Sequence, residues 1–94
     1  MHALIESYRS EIRALAESHG FCDVRVFGSM ARDDGDEHSD VDLLVTLPAG
    51  KTGLALGALL MDDQDLLGRR VDVVTEDCLH PTFRNRVLKE AQIL

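Results

Sequence analysis

The stretch Val24-Arg25-Val26-Phe27-Gly28-Ser29, then ten residues, then Asp40-Val41-Asp42-Leu43-Leu44-Val45, decides how this chain reads. Both apolar runs have the alternation of strands, so Val41, Leu43 and Val45 point to one side while Asp40 and Asp42 share the other. Two carboxylates side by side on a rigid element raise each other's cost of ionisation, and a bound divalent cation relieves it. Spacing alone is a weak signal, because Asp-x-Asp occurs three times, at Asp34/Asp36, Asp40/Asp42 and Asp63/Asp65. The first lies in a polar loop and the third on a helical segment, where residues two apart diverge. Only the second falls on a strand, where a solvated edge is the competing explanation.

The residues upstream tip that balance. Gly28 lets the backbone turn closely after Phe27, and Ser29 opens a helix-compatible run whose first amides and hydroxyl can meet phosphate. Arg32 fits either a solvated surface or a phosphate contact. Phosphate donors followed by paired carboxylates on the next strand suit a metal-nucleoside triphosphate.

Working outward, residues 3–18 read as a helix with Leu4, Ile5, Tyr8, Ile12, Leu15 and Ala16 inward, closed by Gly20. His19 favours its C-terminus. A first strand runs from Cys22 to Phe27, and residues 33–38 form an acidic loop able to reach over a ligand. Pro48-Ala49-Gly50-Lys51 is a turn into a helix from Gly53 to Leu67, with Leu56, Leu59, Leu60 and Leu67 inward and Asp62, Asp63 and Asp65 on its wet face. Val71-Asp72-Val73-Val74 is a third strand. Asp72 is a poor strand former that needs a reason to be there. Pairing with 40–46 would put it on the Asp42 face as a third carboxylate, whereas a salt bridge to Arg69 or Arg70 is the rival account. Thr75 caps a short turn. Pro81 opens a last helix with Phe83, Val87, Leu88 and Ala91 inward, Arg84, Arg86 and Lys89 outward, and His80 in the preceding loop.

The whole chain bounds these readings. At 94 residues and 45% hydrophobic content it predicts one globular domain, residues 1–94. No apolar run is long enough for a membrane span, and the amino terminus lacks the blocks of a signal peptide, which makes the cytoplasm the expected location. A net charge of −7 disfavours a nucleic-acid partner held by this chain alone and suits a basic one. For Cys22 and Cys78 a buried structural role is preferred to a metal or redox pair.

Phe27-Gly28-Ser29-Met30-Ala31-Arg32, the later Ser39-Asp40-Val41-Asp42 and the phrase Leu66-Leu67-Gly68-Arg69-Arg70-Val71-Asp72-Val73-Val74-Thr75 resemble the signature of the polymerase-β-type nucleotidyltransferase superfamily. They resemble in particular its minimal nucleotidyltransferases, which pair with helical HEPN toxins. The likeness spans essentially the whole chain, and its combination of Gly-Ser, Asp-x-Asp and a third Asp is specific where each part alone is weak. It implies an α/β (α+β) palm: a small mixed sheet flanked by helices. It also implies that Gly28, Ser29 and Arg32 bind the nucleotide, and that Asp40, Asp42 and Asp72 are the catalytic carboxylates ligating two magnesium ions. The reaction implied is transfer of AMP from ATP to a tyrosine of a HEPN ribonuclease toxin, in a hetero-oligomer with that toxin. Two alternatives are an antitoxin that works by contact alone and a small-molecule transferase working with a second chain. Family members often have a basic residue at the position of Met30 and Gly at that of Asp33. Both departures remove positive character near a triphosphate.

Overall fold

The computed structural model describes residues 1–36, 38–50 and 53–94. Glu37 of the acidic loop and Lys51 of the predicted turn therefore lie outside the described residues. The order of elements is α1 (Ala3–Ser18), β1 (Val24–Phe27), α2 (Ser29–Arg32), β2 (Val41–Val45), α3 (Gly53–Leu67), β3 (Val71–Val74), a 3-10 turn (Glu76–Cys78), α4 (Pro81–Glu90) and β4 (Gln92–Ile93).

Local chemistry sets most of these boundaries. His2 caps α1, its Nδ1 accepting from the Leu4 N–H at 3.0 Å, and His80 caps α4 in the same way for Thr82 at 3.1 Å. His80 is thus a helix cap as well as a loop residue. At the other end of α1, the Gly20 N–H bonds to the Glu17 carbonyl and the Phe21 N–H to the Ala16 carbonyl, both at 2.9 Å. Gly20, with φ +88°, is the left-handed residue that this paired closure requires. It delivers Phe21 into the core, and Cys22 is left outside. The strand consequently begins at Val24, and both cysteines are exposed rather than buried.

Four strands form one mixed sheet in the order β3-β2-β1-β4. β1 runs antiparallel to β2 and β4, whereas β2 and β3 are parallel and joined through α3. A parallel neighbour requires such a crossover, because a tight hairpin can only return antiparallel. Val24, Val26, Val41, Leu43, Val45 and Val71 face Ile5, Ile12, Ala16, Leu59 and Leu67 of α1 and α3, and together they make the buried core. Alternation then sends Arg25, Phe27, Asp42, Leu44, Asp72 and Val74 to the opposite face.

Two helices differ from the sequence expectation. On α3 the residue that shares the inner stripe with Leu59 and Leu67 is Asp63, fully buried, whereas Leu54 and Met61 are exposed. Asp63 stands four residues from each leucine, so helical periodicity carries it inward whatever its polarity. Asp62 meets His19 instead, Oδ2 to Nε2 at 2.6 Å, which ties the end of α1 to α3. On α4 Val87 is buried but Phe83 is 54% exposed. Phe83 instead lies edge-on to His80 and lines an open cleft. Arg84 is half-buried rather than outward, its Nη2 donating to the Leu79 carbonyl at 3.4 Å.

Candidate active site

Phe27 and Asp42 are register partners across β1 and β2, and Asp42 and Asp72 are register partners across β2 and β3. Same-face partners on adjacent strands stand about 5 Å apart, so the two carboxylates are neighbours by construction of the sheet. Asp40 immediately precedes β2, is exposed, and leans toward Arg70, Oδ2 to Nε at 4.0 Å. Arg69 instead donates to the carbonyls of Asp36 at 3.0 Å and Ser39 at 3.2 Å, which fastens the acidic loop to the start of β3. Among the described residues neither arginine pairs with Asp72. The salt-bridge account of that residue is therefore not what the structure contains.

Electrostatics single out Asp42. It is half-buried, and removal from water, with Asp72, Asp40 and Glu90 as negative neighbours, pushes its pKa up to about 6, against a smaller opposing pull from Arg32. A cation between these carboxylates would relieve that repulsion, and hard oxygen donors of this kind suit magnesium. As the side chains stand the three do not close round a common point, and no cluster of three His, Cys, Asp or Glu does so among the described residues. Asp42 and Asp72 are placed by the backbone, while Asp40, leaning toward Arg70, would have to turn to join them.

Gly28 makes the approach possible. Its φ of +72° and ψ of −152° belong to a region open only to glycine, and a Cβ there would lie 2.6 Å from Asp42 Oδ2. The turn continues into the single turn of α2, where Met30 and Ala31 are buried and Asp33 closes the helix in the left-handed conformation at φ +61°. Met30 thus serves the core, and Asp33 occupies a backbone position that glycine takes at lower cost. The Asp34 N–H donates to the Ser29 carbonyl at 3.1 Å, folding the loop back over α2. Within that loop Asp36 is held below the usual carboxylate range, first by the His38 backbone N–H and then by the Ser39 hydroxyl.

Glu90, the last residue of α4, is the part of the site that sequence reasoning missed. Its Oε1 accepts from the Gly28 N–H at 3.1 Å and its Oε2 from Arg32 Nη1 at 2.9 Å. Asp34 takes Arg32 Nε at 3.0 Å, and the two acids raise the arginine's pKa, the Asp34 bond most. The contact spans 62 positions, and β4, which fixes the end of α4, has only two residues. Neither leaves a periodic signal. Beside this turn lies a cleft of about 340 Å³ lined by Phe27, Gly28, Arg32, Leu79, Phe83 and Glu90, among others.

Comparison with known proteins gives the family and the fold. The family described as "Nucleotidyltransferase domain" matches residues 9–94. A Methanocaldococcus jannaschii protein named "Putative protein adenylyltransferase MJ0435" is 37% identical over 87 residues, covering 93% of this chain and 94% of its own length. The solved structure of a "putative minimal nucleotidyltransferase" superposes with a TM-score of 0.83 at 42% identity, over 100% of this chain and 97% of that one. A crystal structure of a toxin-antitoxin with AMP-PNP shares the fold, with a TM-score of 0.76 at 19% identity, over 89% of this chain and 69% of that one. Its level of identity carries the fold alone. The chain belongs to the nucleotidyltransferase family, among its minimal members.

Proposed function

We propose that this nucleotidyltransferase is the antitoxin of a toxin-antitoxin pair, moving AMP from ATP to a tyrosine of a helical HEPN ribonuclease toxin in a magnesium-dependent reaction. The observation that carries the chemistry is the register pair Asp42–Asp72 beside a glycine whose missing side chain leaves room for Asp42. The protein acceptor is supported by the relative named a protein adenylyltransferase, and the setting by the like-folded toxin-antitoxin structure that contains AMP-PNP.

Asp40, Asp42 and Asp72 would hold the magnesium, which when bound supplies charge neutralisation on the transferring phosphoryl group and lowers the pKa of the attacking hydroxyl. Gly28, Ser29 and Arg32 orient the triphosphate. Asp72, exposed at the outer strand, faces the acceptor side and is placed to take the tyrosine proton as its oxygen attacks the α-phosphorus and pyrophosphate leaves.

Intact-mass measurement of the partner toxin after incubation with ATP and magnesium tests this reading. The increment should be one or more AMP units with the wild-type chain, and none with an Asp40→Asn, Asp42→Asn double variant. A toxin left unmodified but inhibited equally by both proteins would establish neutralisation by contact alone.

A further inference from the structure

The donors assigned to the triphosphate already hold an anion of the protein's own. Glu90 engages a backbone N–H with one oxygen and a guanidinium with the other, the pair of donors that a phosphate group uses. Arg32 has its two edges taken by Asp34 and Glu90, so its charge is spent on side-chain carboxylates. Met30, the next residue after Ser29, is buried in the core and offers the turn no charge.

We propose that Glu90 is a resident phosphate mimic, which a polyphosphate must displace from Gly28 and Arg32 in order to bind. The proposal rests on the reading of this site as a nucleotide site. It makes Glu90 a positioning residue that sets affinity for the phosphate chain while touching none of the reacting atoms.

The surrounding contacts show how the exchange happens. The Ala91 N–H bonds to the Val87 carbonyl at 2.8 Å and the Leu94 N–H to the Val24 carbonyl at 3.0 Å, while Gln92 Nε2 donates to the Ala31 carbonyl at 2.9 Å. The backbone on both sides of Glu90 is therefore pinned to α4, β1 and α2. Its carboxylate leaves by rotation of its own side chain, which is 21% exposed, with no movement of the helix. Release is favourable only when a stronger anion takes both donors, because the departing carboxylate gives up a charge-assisted pair.

Calorimetric titration of the wild type, Glu90→Gln and Glu90→Ala tests this, with magnesium present and three probes: a non-hydrolysable ATP analogue, inorganic tripolyphosphate and adenosine. Weakening the competitor should tighten the ATP analogue and tripolyphosphate about tenfold. Adenosine, which carries no phosphate, should bind all three proteins alike. Glu90→Gln preserves size and one acceptor, and its melting temperature verifies that the fold is kept. If the wild type binds polyphosphate and both variants bind it equally or more weakly, Glu90 is a scaffold for the turn; the mimic is refuted and the nucleotide site stands. An equal gain for adenosine would assign the effect to general loosening and refute the mimic too. If no protein in the series binds polyphosphate, the reading of the site itself fails and the proposal falls with it.

Discussion

Asp42 and Asp63 are both aspartates drawn out of water by regular structure, and in both burial is the first cause of a raised pKa, to about 6 for Asp42 and about 7 for Asp63. Their surroundings separate them. Asp42 shares a sheet face with Asp72, meets a glycine turn and opens toward solvent. Asp63 stands between Leu59 and Leu67, and among the described residues neither of its carboxylate oxygens has a hydrogen-bond partner; Asp62 raises its pKa further and His19 lowers it. A perturbed acid thus marks burial, and a site needs in addition a second carboxylate on the same face and room for a ligand. Asp42 should therefore reveal itself in catalysis and Asp63 in stability.

The largest effect that sharpens this contrast belongs to Asp72, the partner that Asp63 lacks. Asp72→Asn should slow nucleotidyl transfer by about three orders of magnitude or more, read by single-turnover kinetics. Because Asp72 is exposed and has no ion pair among the described residues, its unfolding free energy should stay within about 0.5 kcal/mol of wild type. Near-normal transfer would break the claim that the β2–β3 pair is the catalytic edge.

Next comes the pH dependence of stability. The folded pKa of Asp63 is above its unfolded value of 3.8, so its contribution is fully present below about pH 4 and lost as pH rises toward about 7. At about 1.4 kcal/mol per pKa unit, a rise from 3.8 to about 7 makes the loss on the order of 4 kcal/mol. Asp63→Asn should flatten the wild-type slope across that window in denaturant melts, while transfer stays active. Parallel curves for the two proteins would show that Asp63 carries no proton in the fold. Smaller again is Gly28→Ala, expected to lower stability by about 1–2 kcal/mol from the disfavoured backbone and to impair transfer through its clash with Asp42. A fully active and stable Gly28→Ala would mean that the close approach of turn and carboxylate is unnecessary.

How much of this was legible in sequence follows from the range of the forces involved. Strand alternation fixed the facing of Asp42 and of Asp72, and Gly28 announced its turn, because these are local rules of backbone geometry. The inward stripe of α1 was equally plain, Ile5, Ile12 and Ala16 being buried. Asp63 reads as solvated by its polarity, yet its place four residues from leucines on either side is what carries it inward. Phe83 is the opposite case, a hydrophobic residue at an inward-reading position that stays 54% exposed at the edge of an open cleft. Glu90 and β4 were out of reach, since a contact between Gly28 and a residue 62 positions on depends on where the completed sheet brings the end of α4. The family likeness supplied the roles of the three aspartates, which alternation alone left open.

The central claim is that Asp40, Asp42 and Asp72 hold the metal through which a nucleoside triphosphate is bound beside Gly28. Calorimetric titration of a non-hydrolysable ATP analogue into the wild-type chain, in magnesium and again after chelation, tests it most directly. The account predicts saturable binding in magnesium and its loss on chelation. Equal affinity in both conditions would contradict it.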